Sequence, residues 1–497
     1  MLHDYELVIG LETHVQLLTA SKLFCACATG FTLKPNINVC PVCLGLPGSL
    51  PVLNRQAVAL ALRAALALNC RVPNEIRFDR KHYYYPDLPK NYQISQYEMP
   101  LAVEGWLDIS APEGEKRIRI RRAHLEEDAG KLLHGEGGSL VDLNRAGTPL
   151  LEIVTEPDLR TPVEARVYLE ELRRILLYAG VSDCNMEEGN LRCDANISLR
   201  RCGETRLGVK NEIKNMNSFR GVERALMMVA EALAAELAAG EEIRQATWGY
   251  SIEKDRIFQL RAKEEAEDYR YFPEPDLPPL RIAAAQVEDA RRMLPEMPRA
   301  RQKRFETQYG LSAYDAAAVC CTRATADYFE TTVQALANDR ELAMTSAEAA
   351  KEAANWIAND LAREMAQRQV TIEQVALTPL ALADLIAMVR KRVINLPTGR
   401  SLLSRLIASG GSPSAIVAAE GLAQVADAGA LRQVLEEIVA QNPKQAQELQ
   451  GGKIATAMWF FGQVMRSTGG KADPAAVAAA LGERFGFDPA LLQKKKK

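Results

Sequence analysis

Apolar and polar residues alternate with a period of two through several stretches of the first 295 residues, the pattern of half-buried strands. Across 7–17, Leu7, Ile9, Leu11, Val15 and Leu17 fall on one side, with Glu12, His14 and Gln16 on the other. Across 191–199 the split is complete: Arg192, Asp194, Asn196 and Ser198 share a face. Glu152 opposes Leu151 and Ile153, and the run 124–128, His124 followed by Glu126, Glu127 and Asp128, adds more carboxylates at a strand end. Alternation alone leaves Glu126 and Glu127 undecided there. Gly and Pro punctuate the strands, and three helices interrupt them. One opens at a capping box, Thr161 to Glu164, with Pro162 in its first turn, and stops near Gly180. Another follows Ser218 and ends near Gly240, and a third starts after Asn54.

The pattern changes at two Pro-rich breaks, 272–279 and 295–298. From there to about residue 405 the chain reads as helix after helix, with start signals at Thr345–Glu348 and Thr378–Pro379. Gly410, Gly411, Ser412 and Pro413 interrupt it, and a last helical module ends in Lys494–Lys497, read as a solvated terminus. The prediction is an α+β protein: a β-rich domain over 1–295, an all-helical domain over 296–405 and a small helical tail domain over 406–497. There is no fixed-period repeat, which argues against a solenoid.

Composition narrows the class. Hydrophobic residues at 47% and charged residues at 25% are an ordinary globular balance and exclude a disordered or fibrous chain. With 61 Lys and Arg against 64 Asp and Glu, a uniformly basic nucleic-acid coat is excluded, though a local patch is not. No apolar run reaches the ~18 residues a membrane span needs, and the N-terminus has no signal-peptide pattern. Ten Cys in a chain this long make no disulfide framework. A cytoplasmic protein with no membrane partner is expected.

The sharpest local motif is Cys25-x-Cys27 followed by Cys40-x-x-Cys43. Two thiolate pairs across a short loop suit a tetrahedral Zn²⁺, and four protein ligands leave no open position, so the metal would be structural. Carboxylates gathered on polar strand faces repel unless a cation neutralises them. With one His among them they suit Mg²⁺ or Mn²⁺ better than zinc. The run 78–93, with Lys81, Tyr83, Tyr84 and Lys90, interleaves aromatic, basic and amide residues, and 210–218, with Lys210 and Asn211, resembles it in polarity. Such loops stack bases and clamp phosphates. Neither a G-x-x-x-x-G-K-[ST] loop nor a G-x-S-x-G elbow is present, which leaves a P-loop NTPase and a Ser-His-Asp hydrolase without support.

Four runs, Ile9–Leu17, Asp79–Gln93, Asn144–Glu152 and Asp268–Asp276, resemble the B-subunit family of aspartyl/glutamyl-tRNA amidotransferases. The resemblance extends over essentially the whole chain. It implies a cradle-shaped first domain carrying the active site, then a helical domain and a tRNA-binding tail. It also implies a heterotrimer with an amidase-type A subunit and a small C subunit. The A subunit releases ammonia from glutamine and a tunnel delivers it. In the B subunit, ATP and Mg²⁺ activate the side-chain carboxylate of misacylated Glu-tRNA(Gln) or Asp-tRNA(Asn), which ammonia converts to the amide. On this reading Glu12, His14, Glu127, Glu152 and Asp194 are the Mg²⁺ ligands and catalytic set. Lys81, Lys90, Thr148 and Asp183 are tunnel candidates, and the four Cys match the family's zinc-bearing members. The alternative, a non-catalytic tRNA-binding scaffold, accounts for the zinc motif, the aromatic loop and the tail. It does not account for carboxylates on polar strand faces.

Overall fold

The computed structural model describes residues 4–135, 137–262, 268–424, 428–468 and 472–493. The Lys494–Lys497 run lies outside the described residues. The chain divides into two compact units between Pro298 and Arg299. The first is a large mixed sheet with helices and the second is helical, an α+β layout.

The first unit is built on an eight-stranded sheet. Read across, its strands are Arg256–Ala262, Ala246–Ser251, Asn211–Met216, Leu191–Arg201, Tyr5–Gln16, Pro149–Thr155, Gly114–Glu127 and Ala102–Ala111. Neighbours run antiparallel except Asn211–Met216 and Ala246–Ser251, which are parallel. That pair needs a crossover, and the helix Phe219–Ala238 supplies it. The alternation in 7–17 decides which face is covered. Ile9, Leu11 and Val15 are buried with Ala195, Ile197, Leu151 and Ile153 from the flanking strands. Against them pack the apolar sides of Pro162–Tyr178 and Phe219–Ala238, with Leu169, Leu172, Leu226 and Val229. The opposite face keeps its polar side chains.

The helix starts follow the sequence signals. Asn54 accepts from the Gln56 and Ala57 amides, Thr161 from Glu164 and Ser218 from Gly221. At Thr161 the expected reciprocal box is replaced by a bond one residue upstream. Glu164 accepts from the Arg160 amide at 2.6 Å and pairs with Lys116 at 2.7 Å. A small sheet of Asp79–His82, Tyr92–Ser95 and Phe272–Pro273 belongs to the same unit.

In the second unit, Thr345 forms both halves of its capping box and Thr378 caps the helix Pro379–Arg390. Phe305, Phe329, Trp356, Leu385 and Leu402 lie in one core whose last member is Val417, and a separate small core starts at Leu431 around Phe460. The Gly410–Pro413 break therefore falls inside the larger helical core, and the change of core comes later in the chain. Among the described residues, no single helix is long and apolar enough to cross a membrane.

Candidate functional site

The register of the central strands assembles the polar face. Tyr5–Gln16 pairs on one side so that Glu12 opposes Asp194, and on the other so that His14 opposes Glu152. One strand further out, His124 opposes Glu152. Side chains alternate along each strand, so all of these point to the same side, and Glu126 joins them two residues after His124. His14 Nε2 lies 3.3 Å from Glu126 Oε1 and 3.4 Å from Glu152 Oε2. His124 Nε2 lies 3.3 Å from the same Glu152 oxygen.

Two buried carboxylates this close repel and need a positive charge between them. Burial opposes a charged His14, but its hydrogen bonds to Glu126 and Glu152 prevail and hold its pKa up at about 10. Burial likewise pushes both carboxyl groups up. The imidazoles outweigh it, His14 for Glu126 and His124 with His14 for Glu152, so both acids sit below the usual carboxylate range. The charge that balances these acids is thus either a proton on His14 or a bound cation. One ligand atom each from His14, Glu126 and Glu152 lie within 4.8 Å of one another. An imidazole nitrogen with carboxylate oxygens is a donor set for Mg²⁺ or Mn²⁺. Among the described residues, His124 Nδ1 and Asn196 Oδ1 are buried with no hydrogen-bond partner, polar capacity left over on the strands that carry the site.

Glu127 is turned away from this group. A one-residue step along a strand reverses the face, so the carboxylate brought to His14 is that of Glu126. Glu127 pairs instead with Lys90 and accepts from the Ile94 amide at 2.9 Å. Glu12 and Asp194 lie on the metal-candidate face but are engaged with protein groups. Asn196 Nδ2 donates to Glu12 at 2.9 Å, and Lys214 lies 3.3 Å from Asp194. Burial disfavours the Lys214 charge, yet Asp194 and Glu212 raise its pKa.

The aromatic loop forms a wall beside the carboxylates. Lys81 Nζ lies 4.8 Å over the Tyr269 ring and 5.8 Å over Tyr83, and Tyr271 stacks on Tyr97 at 4.3 Å. Burial first, then the charges of Glu126 and Glu152, push the Tyr271 hydroxyl up, which puts this wall within electrostatic reach of the site. Tyr84 is exposed. Thr148 is buried, its backbone carbonyl accepting from the Asp128 amide at 2.8 Å. Asp183 and Lys210 are exposed and are not brought to the face. Asn211 is buried, with its amide spent on Trp248 Nε1 at 2.8 Å and the Arg244 carbonyl at 3.2 Å. Sequence reasoning gave no site role to His124, Lys22 or the Tyr269–Tyr271 pair. His124 had a signal, its period-two spacing to Glu126.

Cys25, Cys27, Cys40 and Cys43 converge, each sulfur within 4.8 Å of the others, and Cys40 and Cys43 sulfurs are 3.9 Å apart. Sulfurs at the corners of a tetrahedron 2.3 Å from its centre lie about 3.8 Å apart, so the four thiols fit a structural Zn²⁺. The Cys40 amide points at Cys43 Sγ at 3.1 Å, and Leu44 N returns to Cys40 O at 3.0 Å, the turn of a zinc knuckle. The hydrogen bond from the Cys25 thiol pulls Cys43 down to about 4, with Lys22 adding to it, while Cys25 itself is pushed up. Gly45 closes the turn at φ +66°, and a Cβ there would meet Lys90 Cγ at 2.4 Å, so only glycine fits. A cavity of about 130 Å³ is lined by Cys25, Cys43 and Lys22 together with Lys90, Glu127 and Gly147.

Residues 7–288 match the family model described as the GatB/GatE catalytic domain, and residues 327–485 match that of the GatB domain. The chain is 50% identical to the B subunit of the aspartyl/glutamyl-tRNA(Asn/Gln) amidotransferase of Moorella thermoacetica, over 97% of this chain and 100% of that protein. The chain belongs to the GatB family. The corresponding B subunits of Carboxydothermus hydrogenoformans, 46% identical over 97% of this chain and 99% of theirs, and of Thermomicrobium roseum, 47% identical over 97% and 98%, agree. It is thus the B subunit of an amidotransferase of the ligase class. The polar face, the Lys90–Glu127 pair and the cysteine knuckle all lie within the matched GatB/GatE catalytic domain.

Proposed function

We propose that this GatB chain activates the side-chain carboxylate of misacylated Glu-tRNA(Gln) or Asp-tRNA(Asn) with ATP and amidates it with ammonia from a glutaminase partner. Hydroxide is too poor a leaving group for direct amidation. In the first step a carboxylate oxygen attacks the γ-phosphorus of ATP and ADP leaves. In the second, ammonia attacks the acyl carbon, the C–O bond to phosphate breaks, inorganic phosphate departs and the nitrogen sheds its proton. The observation that carries this reading is the convergence of His14, Glu126 and Glu152 from three strands on one buried face. The names of its relatives, amidotransferases of aspartyl and glutamyl tRNA, supply the substrate class.

His14, Glu126 and Glu152 would hold Mg²⁺, with Glu12 and Asp194 beside them. Bound there, the ion supplies neutralisation of the charge on the transferring phosphoryl group. The chain's own residues do the rest. Lys214 holds Asp194 in place. The wall of Lys81, Tyr83, Tyr269 and Tyr271 screens the site from water and orients the aminoacyl end. Lys90 and Glu127, with Thr148, line the approach of ammonia, offering alternating donors and acceptors. Zinc in the knuckle would be structural. The helical domain and the tail, with its own core from Leu431, hold the tRNA body. Partners are an amidase-type A subunit and a small C subunit, working in the cytoplasm.

The test is reconstitution with both partner subunits, measuring ADP release, glutamine hydrolysis and amide formation on both misacylated tRNAs. Glu12→Ala should abolish ADP release and leave basal glutaminase intact. Normal ADP release by that variant would favour the scaffold reading, with all chemistry in the partner.

A further inference from the structure

We infer that Lys22 is the built-in counter-cation of the four-cysteine cluster, a positioning residue that ties the metal-bound knuckle to the sheet. The inference rests on the zinc reading above and deepens it. Lys22 has no exposed surface at all and is among the largest fully buried side chains in the protein. Its ammonium donates to the Asn38 carbonyl at 2.6 Å and the Leu143 carbonyl at 3.3 Å, and lies 3.7 Å from Cys43 Sγ. Its stem runs under Gly147, where a Cβ would meet Lys22 Cδ at 3.5 Å and Cys43 Cβ at 3.6 Å. Its backbone is held at both ends of the same feature: Lys22 N donates to Cys27 O at 2.9 Å, and Leu23 N to Gly147 O at 2.8 Å.

Among the described residues, Lys22 Nζ forms no ion pair with a carboxylate. Cys43 Sγ is the knuckle sulfur beside it. A buried ammonium that meets only carbonyl dipoles is poorly compensated. Four thiolates around one divalent cation change this, because the cluster then carries a net charge of −2. A single buried ammonium cancels half of that charge from inside the fold, where water cannot. The contacts to Asn38 and Leu143 then fix the direction of the charge. They join the strand-loop that carries Cys40 and Cys43 to the 143–147 segment, which abuts Glu127. Lys22 acts on the metal through Cys43 and touches neither substrate nor ion.

The experiment follows zinc release from the full chain to excess 4-(2-pyridylazo)resorcinol, with total zinc measured first. Wild type should carry one zinc per chain and release it slowly. Lys22→Met keeps the stem and removes the charge, and should raise the apparent zinc dissociation constant about 10- to 100-fold, the range for groups that support a metal ligand from outside. A charge role also predicts non-additivity. Cys27→His makes a Cys₃His site with a net charge of −1, and in that background Lys22→Met should cost several-fold less. If Lys22→Met alone does not fold, the double variant Lys22→Met/Cys27→His should fold and hold zinc. Failure of both would overturn the proposal, as would unchanged zinc release in Lys22→Met or an equal loss in both backgrounds. Wild type without zinc would overturn the zinc reading itself, an outcome distinct from a zinc-bearing wild type indifferent to Lys22.

Discussion

The knuckle cysteines come from one loop between Cys25 and Cys43, whereas His14, Glu126 and Glu152 are delivered by three strands far apart in the chain. The first cluster is soft, four-sided and closed. The second is hard, lies on an otherwise continuous sheet face and sets buried acids against an imidazole. The first can be built by a short segment that turns on itself, with Gly45 as its hinge. The second exists only once the whole sheet has its register, so its geometry depends on folding of the entire first unit. A closed sulfur site is suited to holding a fold together. A carboxylate site with open polar capacity is suited to an ion that shares its ligands with a phosphate.

Breaking the knuckle should give the largest effect on stability. Cys43→Ser should cost the first unit more than roughly 4 kcal/mol, the scale of losing a metal site. Chemical unfolding of variant and wild type measures it, and a chelator should reproduce it in the unmodified protein. Chemistry in whatever variant protein remains folded should be unaltered. Breaking the polar face should do the opposite. Glu152→Gln removes the carboxylate shared by both imidazoles and should lower ADP release at least about 100-fold, with tRNA binding retained. A gel-shift with misacylated tRNA beside a coupled ADP assay separates the two. If Cys43→Ser abolished ADP release in folded protein while Glu152→Gln spared it, the division of labour between the clusters would be reversed.

The smallest effect comes from a carboxylate that needs no imported cation. Glu330, in the helical unit, is bonded to Arg301 at 2.6 Å and to Arg304 at 2.8 Å. Burial raises its pKa, but the two guanidinium groups prevail and hold it below the usual range. Its contribution is therefore fully present above the unfolded carboxylate pKa and is lost as pH falls through the lower, folded value. Glu330→Gln should cost about 1–2 kcal/mol at pH 7. It should also flatten the acid side of the stability curve, read by urea unfolding at pH 7 and pH 3. An unchanged acid limb would show that the built-in arginines do not neutralise this group as the geometry requires.

Much of this architecture was legible in the chain. Period-two alternation identified the strand faces that carry Glu12, His14, Glu152 and Asp194, because one face of each must be buried. The Cys spacing was legible because its geometry is local. Helix starts at Asn54, Thr161, Ser218, Thr345 and Thr378 were legible because a capping side chain acts within three residues. Register was not. Whether Glu126 or Glu127 meets His14 depends on how Gly114–Glu127 pairs with Pro149–Thr155, a non-local fact that no short run contains. Asn211 shows the converse: a polar loop motif reads as a binding element until its amide is found engaged with Trp248. Lys22 gave no signal, since a lysine beside cysteines reads as an ordinary surface residue until its burial is known.

On the proposed function, the ion-binding carboxylate of this face is Glu126, and Glu127 belongs to the Lys90 side. Mn²⁺ titration of the full chain by electron paramagnetic resonance, in the presence of ADP, tests it directly. Wild type should bind one Mn²⁺, Glu126→Gln should bind it at least about tenfold more weakly, and Glu127→Gln should bind it like wild type. Loss of Mn²⁺ in Glu127→Gln with normal binding in Glu126→Gln would contradict the account, as would a wild type that binds no Mn²⁺ at millimolar metal.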